Sequence, residues 1–95
     1  MAIELSSIFK AQKPIIGMVH LPASPGQPQF KSKPDLKEMI SSVKADVKAL
    51  QDGGVDGLLF CNESDLPYTT RVSSEVGAWS TFMIGAVHDH LTIPY

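Results

Sequence analysis

The order of its apolar segments predicts an α/β fold for this 95-residue chain. Two short segments are apolar at consecutive positions, which is typical of parallel strands that are buried on both faces. Two longer segments repeat apolar residues every three or four positions, as amphipathic helices do. Strands and helices alternate, and this alternation indicates a parallel sheet with right-handed crossovers. We therefore predict the order β-α-β-α.

The first predicted strand covers residues 14–20 and ends at His20. The loop after it contains Pro22, Pro25 and Pro28. Prolines remove backbone hydrogen-bond donors and restrict the residues that precede them, so neither a helix nor a central strand can continue here. We expect a long, stiff loop.

The first helix is predicted to open at Pro34 and Asp35, because proline is favoured in the first turn of a helix. Gly53 and Gly54 are expected to end it, since glycine readily adopts the left-handed conformation that closes a helix. Polar residues take the face opposite to the apolar stripe. That stripe consists of Leu36, Met39, Ile40, Val43, Val47 and Leu50.

The second predicted strand is the apolar run 55–61, and a polar loop over residues 62–70 precedes the second helix. Residues 92–95 are predicted to enter a third strand. So few strands cannot close a barrel, and we expect an exposed sheet edge and an exposed helix face. Partial unfolding, a homo-oligomer formed through the exposed edges, or a missing remainder would follow. The second helix is expected to pack Trp79, Phe82 and Met83 against the sheet, within a stripe of Val72, Val76, Trp79, Phe82 or Met83, Ala86 or Val87, and Leu91.

Composition and charge exclude several classes of protein. Hydrophobic residues make up 43% of the chain and charged residues 19%, which disfavours disorder. The net charge is -2, so no nucleic-acid partner is expected. We expect neither a signal peptide nor a membrane-spanning segment, and the single cysteine, Cys61, excludes an internal disulfide framework. We expect a cytoplasmic protein with one partial domain over residues 1–95.

Two stretches of the sequence resemble the BtpA/SgcQ family. The first covers residues 13–30, KPIIGMVHLPASPGQPQF, and is similar to a strand ending in Met-x-His-Leu that a Pro-Gly-x-Pro loop follows. The second covers residues 46–68, DVKALQDGGVDGLLFCNESDLPY, and resembles the helix, second strand and Asn-Glu loop of that family. Ile93-Pro94-Tyr95 is similar to the start of its third strand. The resemblance therefore extends from about Lys13 to the last residue.

The resemblance implies a (βα)8 TIM barrel, a fold that needs about 250 residues. Roughly the first third of this barrel would be present here. One member of the family supports photosystem I accumulation, whereas relatives in non-photosynthetic bacteria are encoded among sugar-uptake genes and some are described as nucleotide hydrolases. The resemblance thus implies either a barrel enzyme of sugar or nucleoside metabolism or a non-catalytic assembly factor. It identifies no cofactor, and a truncated chain is expected to be inactive alone.

Four polar residues follow the predicted strands at the end where (βα)8 barrels hold their active sites. His20 ends the first strand, and Asn62, Glu63 and Asp65 follow the second. An imidazole beside carboxylates can run acid–base chemistry. We predict that these four are catalytic residues acting on a small sugar or nucleoside ligand. The structural alternative is that His20 bonds to a loop backbone and that Glu63 and Asp65 cap the following turn or helix.

Other candidate residues are interpreted as structural. His88 and His90 point in different directions if they lie on a helix, so we expect them to complement its dipole and not to bind a metal. No metal-ligand spacing is present elsewhere. Cys61 is interpreted as a small core residue, because no base is adjacent in sequence. Binding of a nucleotide through a P-loop is disfavoured, since Gly53 and Gly54 end a helix where a P-loop would begin one.

Overall fold

The computed structural model describes residues 3–31 and 35–95, and its elements follow the predicted order. They are a 3-10 helix at Leu5–Ser7, strand β1 at Ile16–His20, helix α1 at Leu36–Asp52, strand β2 at Gly57–Cys61, helix α2 at Ser74–Val87 and a 3-10 helix at His88–His90. Both strands begin two residues later than predicted. The predicted helix opening at Pro34 lies outside the described residues.

The two strands form a parallel sheet, as predicted. Ile16 pairs with Gly57 at one end of the sheet, and His20 pairs with Cys61 at the other. Residues 92–95 carry no assigned strand, but one ladder-like bond reaches them. The Leu58 N–H donates to the Pro94 carbonyl at 2.9 Å, on the side of β2 that faces away from β1. The chain therefore returns beside β2 at the predicted place.

Capping residues set the helix boundaries. The Asp35 carboxylate accepts a hydrogen bond from the Glu38 N–H at 2.9 Å and so begins α1. Gly54 has φ of +88°, which confirms its predicted role after this helix. The Ser73 hydroxyl accepts a bond from the Val76 N–H at 3.3 Å and begins α2.

The core lies between both helices and one face of the sheet. Gly17, Val19 and Leu58 are the buried strand residues of that face, and α1 buries three members of its predicted stripe. All of these belong to, or border, one apolar cluster that spans the sheet and both helices. The buried helix residues are Met39, Val43 and Val47 from α1, and Val76, Met83 and Val87 from α2.

The stripe predicted on the second helix is confirmed in part. Met83 and Val87, given as alternatives to Phe82 and Ala86, are fully buried. Val72 is 60% exposed because the Ser73 cap starts α2 after it. Phe82 is 48% exposed and stacks on Trp79, with ring centroids 6.4 Å apart, instead of packing against the sheet. Met83 lies seven residues after Val76 and shares its buried side of the helix. The helix also ends at Val87, so Leu91 contacts the core from beyond it.

The opposite face of the sheet is not covered by either helix. Ile16, Met18 and Leu59 are 41%, 47% and 51% exposed on it. Within the described residues, its amino-terminal end is shielded by Phe9, because a Cβ atom added to Gly57 would lie 2.5 Å from Phe9 Cε1. The exposed sheet edge that the sequence predicted is present, and one face of the sheet is exposed as well. Within residues 3–31 and 35–95, no helix has the length and apolar character needed to cross a membrane.

Gly85 offers a test of the α2 assignment. It lies inside this helix, and a Cβ there meets no atom within 4 Å. Because glycine in a helix costs about 0.5–1 kcal/mol relative to alanine, Gly85→Ala should raise the free energy of unfolding in urea by about that amount. Gly54→Ala should lower it by about 1 kcal/mol, since φ is left-handed there. A lower value for Gly85→Ala would contradict the helix.

Candidate functional site

Two loops leave the sheet at the same edge. His20 and Cys61 end the two strands and are paired, so the first loop, which begins at residue 21, and the second loop (residues 62–73) start side by side. His20 and Glu63 are exposed here, and Asn62 is half-buried. The structure thus brings His20, Asn62 and Glu63 to one edge of the sheet, where the loop that carries Asp65 also begins.

Asp65 is the buried member of the predicted set, with 3% of its surface exposed. Its Oδ1 accepts a hydrogen bond from the Ser24 N–H at 2.7 Å, and its Oδ2 accepts one from the Ser24 hydroxyl at 2.6 Å. Ser24 is itself buried. A buried carboxylate requires partners of this kind, because transferring its charge out of water is costly. This pair therefore fastens the first loop to the second.

The structural alternative, in which the Asp65 side chain caps the following turn or helix, is wrong. Its carboxylate binds Ser24, which lies in the other loop, and the residue that caps α2 is Ser73. For His20, no side-chain hydrogen bond to another described residue is present, so its proposed bond to a loop backbone is not observed in residues 3–31 and 35–95. The imidazole is therefore exposed at the strand end.

Two more contacts hold the first loop in place. The Leu21 N–H donates to the Cys61 carbonyl at 2.9 Å and continues the ladder by one bond. The Trp79 Nε1–H of α2 donates to the Pro22 carbonyl at 3.1 Å. Leu21, Pro22 and Ser24 therefore bond, in that order, to β2, α2 and the second loop.

Glu63 and Tyr68 close the second loop. The Tyr68 hydroxyl donates to the Glu63 carbonyl oxygen at 2.9 Å. Desolvation first, and then the nearby Glu63 side chain through hydrogen bonding and its negative charge, raise the pKa of Tyr68 above its ordinary value. The phenol consequently remains protonated and available as a donor at neutral pH.

Cys61 has the environment of a packed thiol. It is half-buried, and its Sγ lies 3.6 Å from the Val19 carbonyl oxygen, as a weak donor. Burial first, and then the negative charge of Glu63, raise the pKa of Cys61, although the Glu63 backbone N–H opposes the shift. A raised pKa leaves less thiolate, which is the nucleophilic form. This environment supports the structural interpretation of Cys61.

A polar cavity of about 350 Å³ lies between the two loops and the start of α2. Asn62 and Asp65 belong to its lining, whereas His20 and Glu63 do not. His20 instead lines a separate cavity of about 290 Å³ with Met18 and Asp46. The other polar side chains that line the polar cavity were not predicted from the sequence; they are Gln27, Tyr68, Thr69, Arg71 and Ser73.

Most of these missed residues carried no usable signal, because loops lack the periodicity on which sequence patterns depend. Arg71 is an exception, since it is the single arginine of the chain and follows a run of polar loop residues. The role of Ser24 could not be predicted from local sequence patterns, because its partner Asp65 lies 41 positions away.

No group of three or more histidine, cysteine, aspartate or glutamate side chains in the described part of the chain could hold a metal ion. His88 and His90 lie on the 3-10 helix beyond α2, and His88 Nδ1 is 3.8 Å from Asp89 Oδ1 at an exposed position. The His88–Asp89 contact is a surface pair, which contributes little to stability.

Comparison with known proteins gives consistent matches to one family. The model of the BtpA family matches residues 11–95. The chain is 37% identical over 91 residues to SgcQ, a protein of the sgc region of Escherichia coli K12, covering 96% of this chain and 34% of SgcQ. It is 33% identical over 82 residues to an uncharacterised protein of Pyrococcus horikoshii, covering 86% of this chain and 31% of that protein.

An uncharacterised protein of Archaeoglobus fulgidus is also 33% identical over 82 residues, covering 86% of this chain and 32% of the relative. The chain therefore spans about a third of the length of the curated relatives it matches. No solved structure matches it.

The pair formed by Asp65 and Ser24 can be tested by substitution. Asp65→Ala leaves both Ser24 donors buried without an acceptor, so we expect the free energy of unfolding in urea to fall by about 1–3 kcal/mol. Glu63→Ala is the matched control, because this side chain is exposed and should change the value by less than about 0.5 kcal/mol. Equal losses of unfolding free energy in the two variants would contradict a stabilising contribution from the buried pair.

The raised pKa of Cys61 predicts slow alkylation by iodoacetamide at pH 7.5 in comparison with free cysteine, with a rate that keeps increasing above the ordinary thiol pKa. Glu63→Gln removes a negative charge, lowers the thiol pKa and should accelerate the reaction. Glu75→Gln, on the first turn of α2, removes the same charge as a control. Equal acceleration by both variants would contradict a local effect of Glu63.

Proposed function

The chain belongs to the BtpA family, and we propose that it forms the first part of a (βα)8 barrel that acts in the cytoplasm on a sugar or nucleoside derivative. In this arrangement β1 and β2 are the first two barrel strands, and α1 and α2 are the first two outer helices. The uncovered face of the sheet is then the barrel interior.

The one-sided coverage of the sheet carries this proposal. A parallel sheet is buried either by helices on both faces or by closure into a barrel with helices outside. Here both helices pack on one face, and the apolar residues Ile16, Met18 and Leu59 remain on the other. Closure buries those residues without any further helix, so it accounts for their apolar character.

The strand alternation places His20 toward the mouth of the proposed barrel. Residues 16, 18 and 20 share the uncovered face, and His20 is the last of them. In the proposed site His20 and Glu63 act as acid–base or ligand-orienting groups, and Asn62, which lines the polar cavity, binds a ligand hydroxyl group. Asp65 acts as a positioning residue through Ser24, because both of its oxygens are occupied by that contact.

The polar cavity supports the proposed class of ligand. Its volume of about 350 Å³ is within the range of small-molecule sites. Two amides, from Gln27 and Asn62, and the hydroxyl of Thr69 can exchange hydrogen bonds with the hydroxyl groups of a sugar. The Tyr68 ring adds an apolar surface for the face of a sugar or base.

A non-catalytic assembly factor is the second candidate, and one observation favours it. Leu66, Tyr68 and Val72 expose large apolar surfaces within the same loop. Contiguous exposed apolar patches are one mark of a binding site for another protein. A factor of this kind would work through its partner and would not require His20 or Glu63.

A full-length chimera tests the enzymatic proposal. This chain replaces the matched third of the Escherichia coli relative, and the product is incubated with sugars, sugar phosphates and nucleosides under NMR observation. His20→Gln and Glu63→Gln should each reduce turnover by about 10²-fold or more, the contribution of a general acid or base, with unchanged unfolding midpoints. His88→Gln, on the distant 3-10 helix, is the control and should retain turnover. Undiminished turnover in the His20 and Glu63 variants would exclude the proposed roles.

A further inference from the structure

Arg71 gives the polar cavity a positive charge that a neutral sugar or nucleoside would leave without a partner. We propose that the ligand is a phosphomonoester of a sugar or nucleoside, and that Arg71 and Ser73 bind its phosphate group. This inference rests on the proposed function, because it names the substrate class of the same cavity. The location differs from the phosphate site common in (βα)8 barrels, which the loops after strands 7 and 8 form.

Arg71 lines the cavity as an accessible cation. Its side chain is exposed, and in the part of the chain that the structure describes no ion pair involves it. Its backbone is held in place, because the Thr69 hydroxyl donates to the Arg71 carbonyl oxygen at 2.5 Å. A guanidinium group presents its N–H donors as a planar fork that matches two oxygens of a phosphate group. Arg71 can therefore supply a charged, two-point contact to an anion.

The negative charge in the cavity lining is already engaged. Among the described lining residues the carboxylate is that of Asp65, and both of its oxygens accept hydrogen bonds from Ser24. Glu63 and Glu75, the neighbouring acidic residues along the chain, do not line the cavity. A ligand that enters it consequently meets the exposed Arg71 guanidinium and little carboxylate surface.

Ser73 offers a hydroxyl proton in the same cavity. The Tyr68 hydroxyl proton is already donated to a backbone carbonyl, as is that of Thr69. Ser73 Oγ instead accepts a hydrogen bond, from the Val76 N–H at 3.3 Å. Its own O–H group is therefore available to donate to a ligand.

A phosphate group uses these donors more fully than a carboxylate does. A phosphomonoester has three terminal oxygens and a charge of about -1.5 to -2 at neutral pH, so it can bind Arg71 through two oxygens and Ser73 through the third. A carboxylate that binds Arg71 through both of its oxygens has no third oxygen for Ser73. The amides of Gln27 and Asn62, together with the Tyr68 ring, remain for the sugar or base.

The test is a titration of this chain, followed by amide NMR, with inorganic phosphate, ribose and ribose 5-phosphate at constant ionic strength. We expect saturable shifts of the Arg71 and Ser73 amides, and tighter binding of ribose 5-phosphate than of the other two probes. Arg71→Gln should weaken binding of ribose 5-phosphate by about tenfold or more, because hydrogen bonds to a charged group are lost. The affinity for ribose should not change.

Lys44→Gln is the matched control for this titration. It removes the same charge from the lining of a separate cavity, between α1 and the 3-10 helix at His88–His90, and should leave the affinity for ribose 5-phosphate unchanged. Equal weakening by the two variants, or shifts confined to lysine-bearing surfaces, would overturn the inference. Ribose 5-phosphate binding no tighter than inorganic phosphate would also overturn it, since that result means adventitious anion binding only.

The outcomes separate the phosphate site from the enzymatic proposal. Binding that depends on Arg71, with no turnover by the chimera, would support the phosphate site and contradict the proposed enzyme. Turnover of a phosphorylated substrate that Arg71→Gln leaves unchanged would do the reverse. Because shifts in the unsubstituted chain locate the bound anion, the result does not depend on the folding of a variant.

Discussion

The carboxylate of Asp65, bonded twice to Ser24, determines how the two loops of this fold lie on the sheet. A hydrogen bond to a charged group contributes about 1.5–3 kcal/mol, and two such bonds are large in a domain with a modest core. The strands themselves have only five residues each and share one ladder. Among the described residues, no other side-chain hydrogen bond joins the two loops, since Trp79, which bonds to the first loop, belongs to α2. Asp65 also lines the polar cavity between the loops.

The sequence predicted the features that repeat along the chain and missed those that join distant positions. Three members of the α1 stripe are buried as predicted, because a period of 3.6 residues is visible locally. The role of Gly54 at the end of α1 was predicted because a positive φ is a property of a single residue, and glycine adopts it readily. The contact between Asp65 and Ser24 has no such signal. Likewise, the choice between Phe82 and Met83 depends on which side of α2 packs on the core, which the apolar pattern alone does not determine.

The apolar strands show a second limit of sequence analysis. A run that is apolar at every position indicates burial on both faces but does not say what buries them. Helices cover one face here, and the other face stays open in Met18 and Leu59. A barrel interior and a second helical layer require the same composition.

The contact between Phe9 and Gly57 bears on how such a protein folds while it is being synthesised. The ring lies against a position where a Cβ has no room, at the amino-terminal end of the open face. In the barrel proposed above, the later strands would leave the ribosome after this unit, over roughly 10–35 s at about 5–20 residues per second. During that interval Ile16, Met18 and Leu59 would face water, and Phe9 would partly shield the sheet within the described residues.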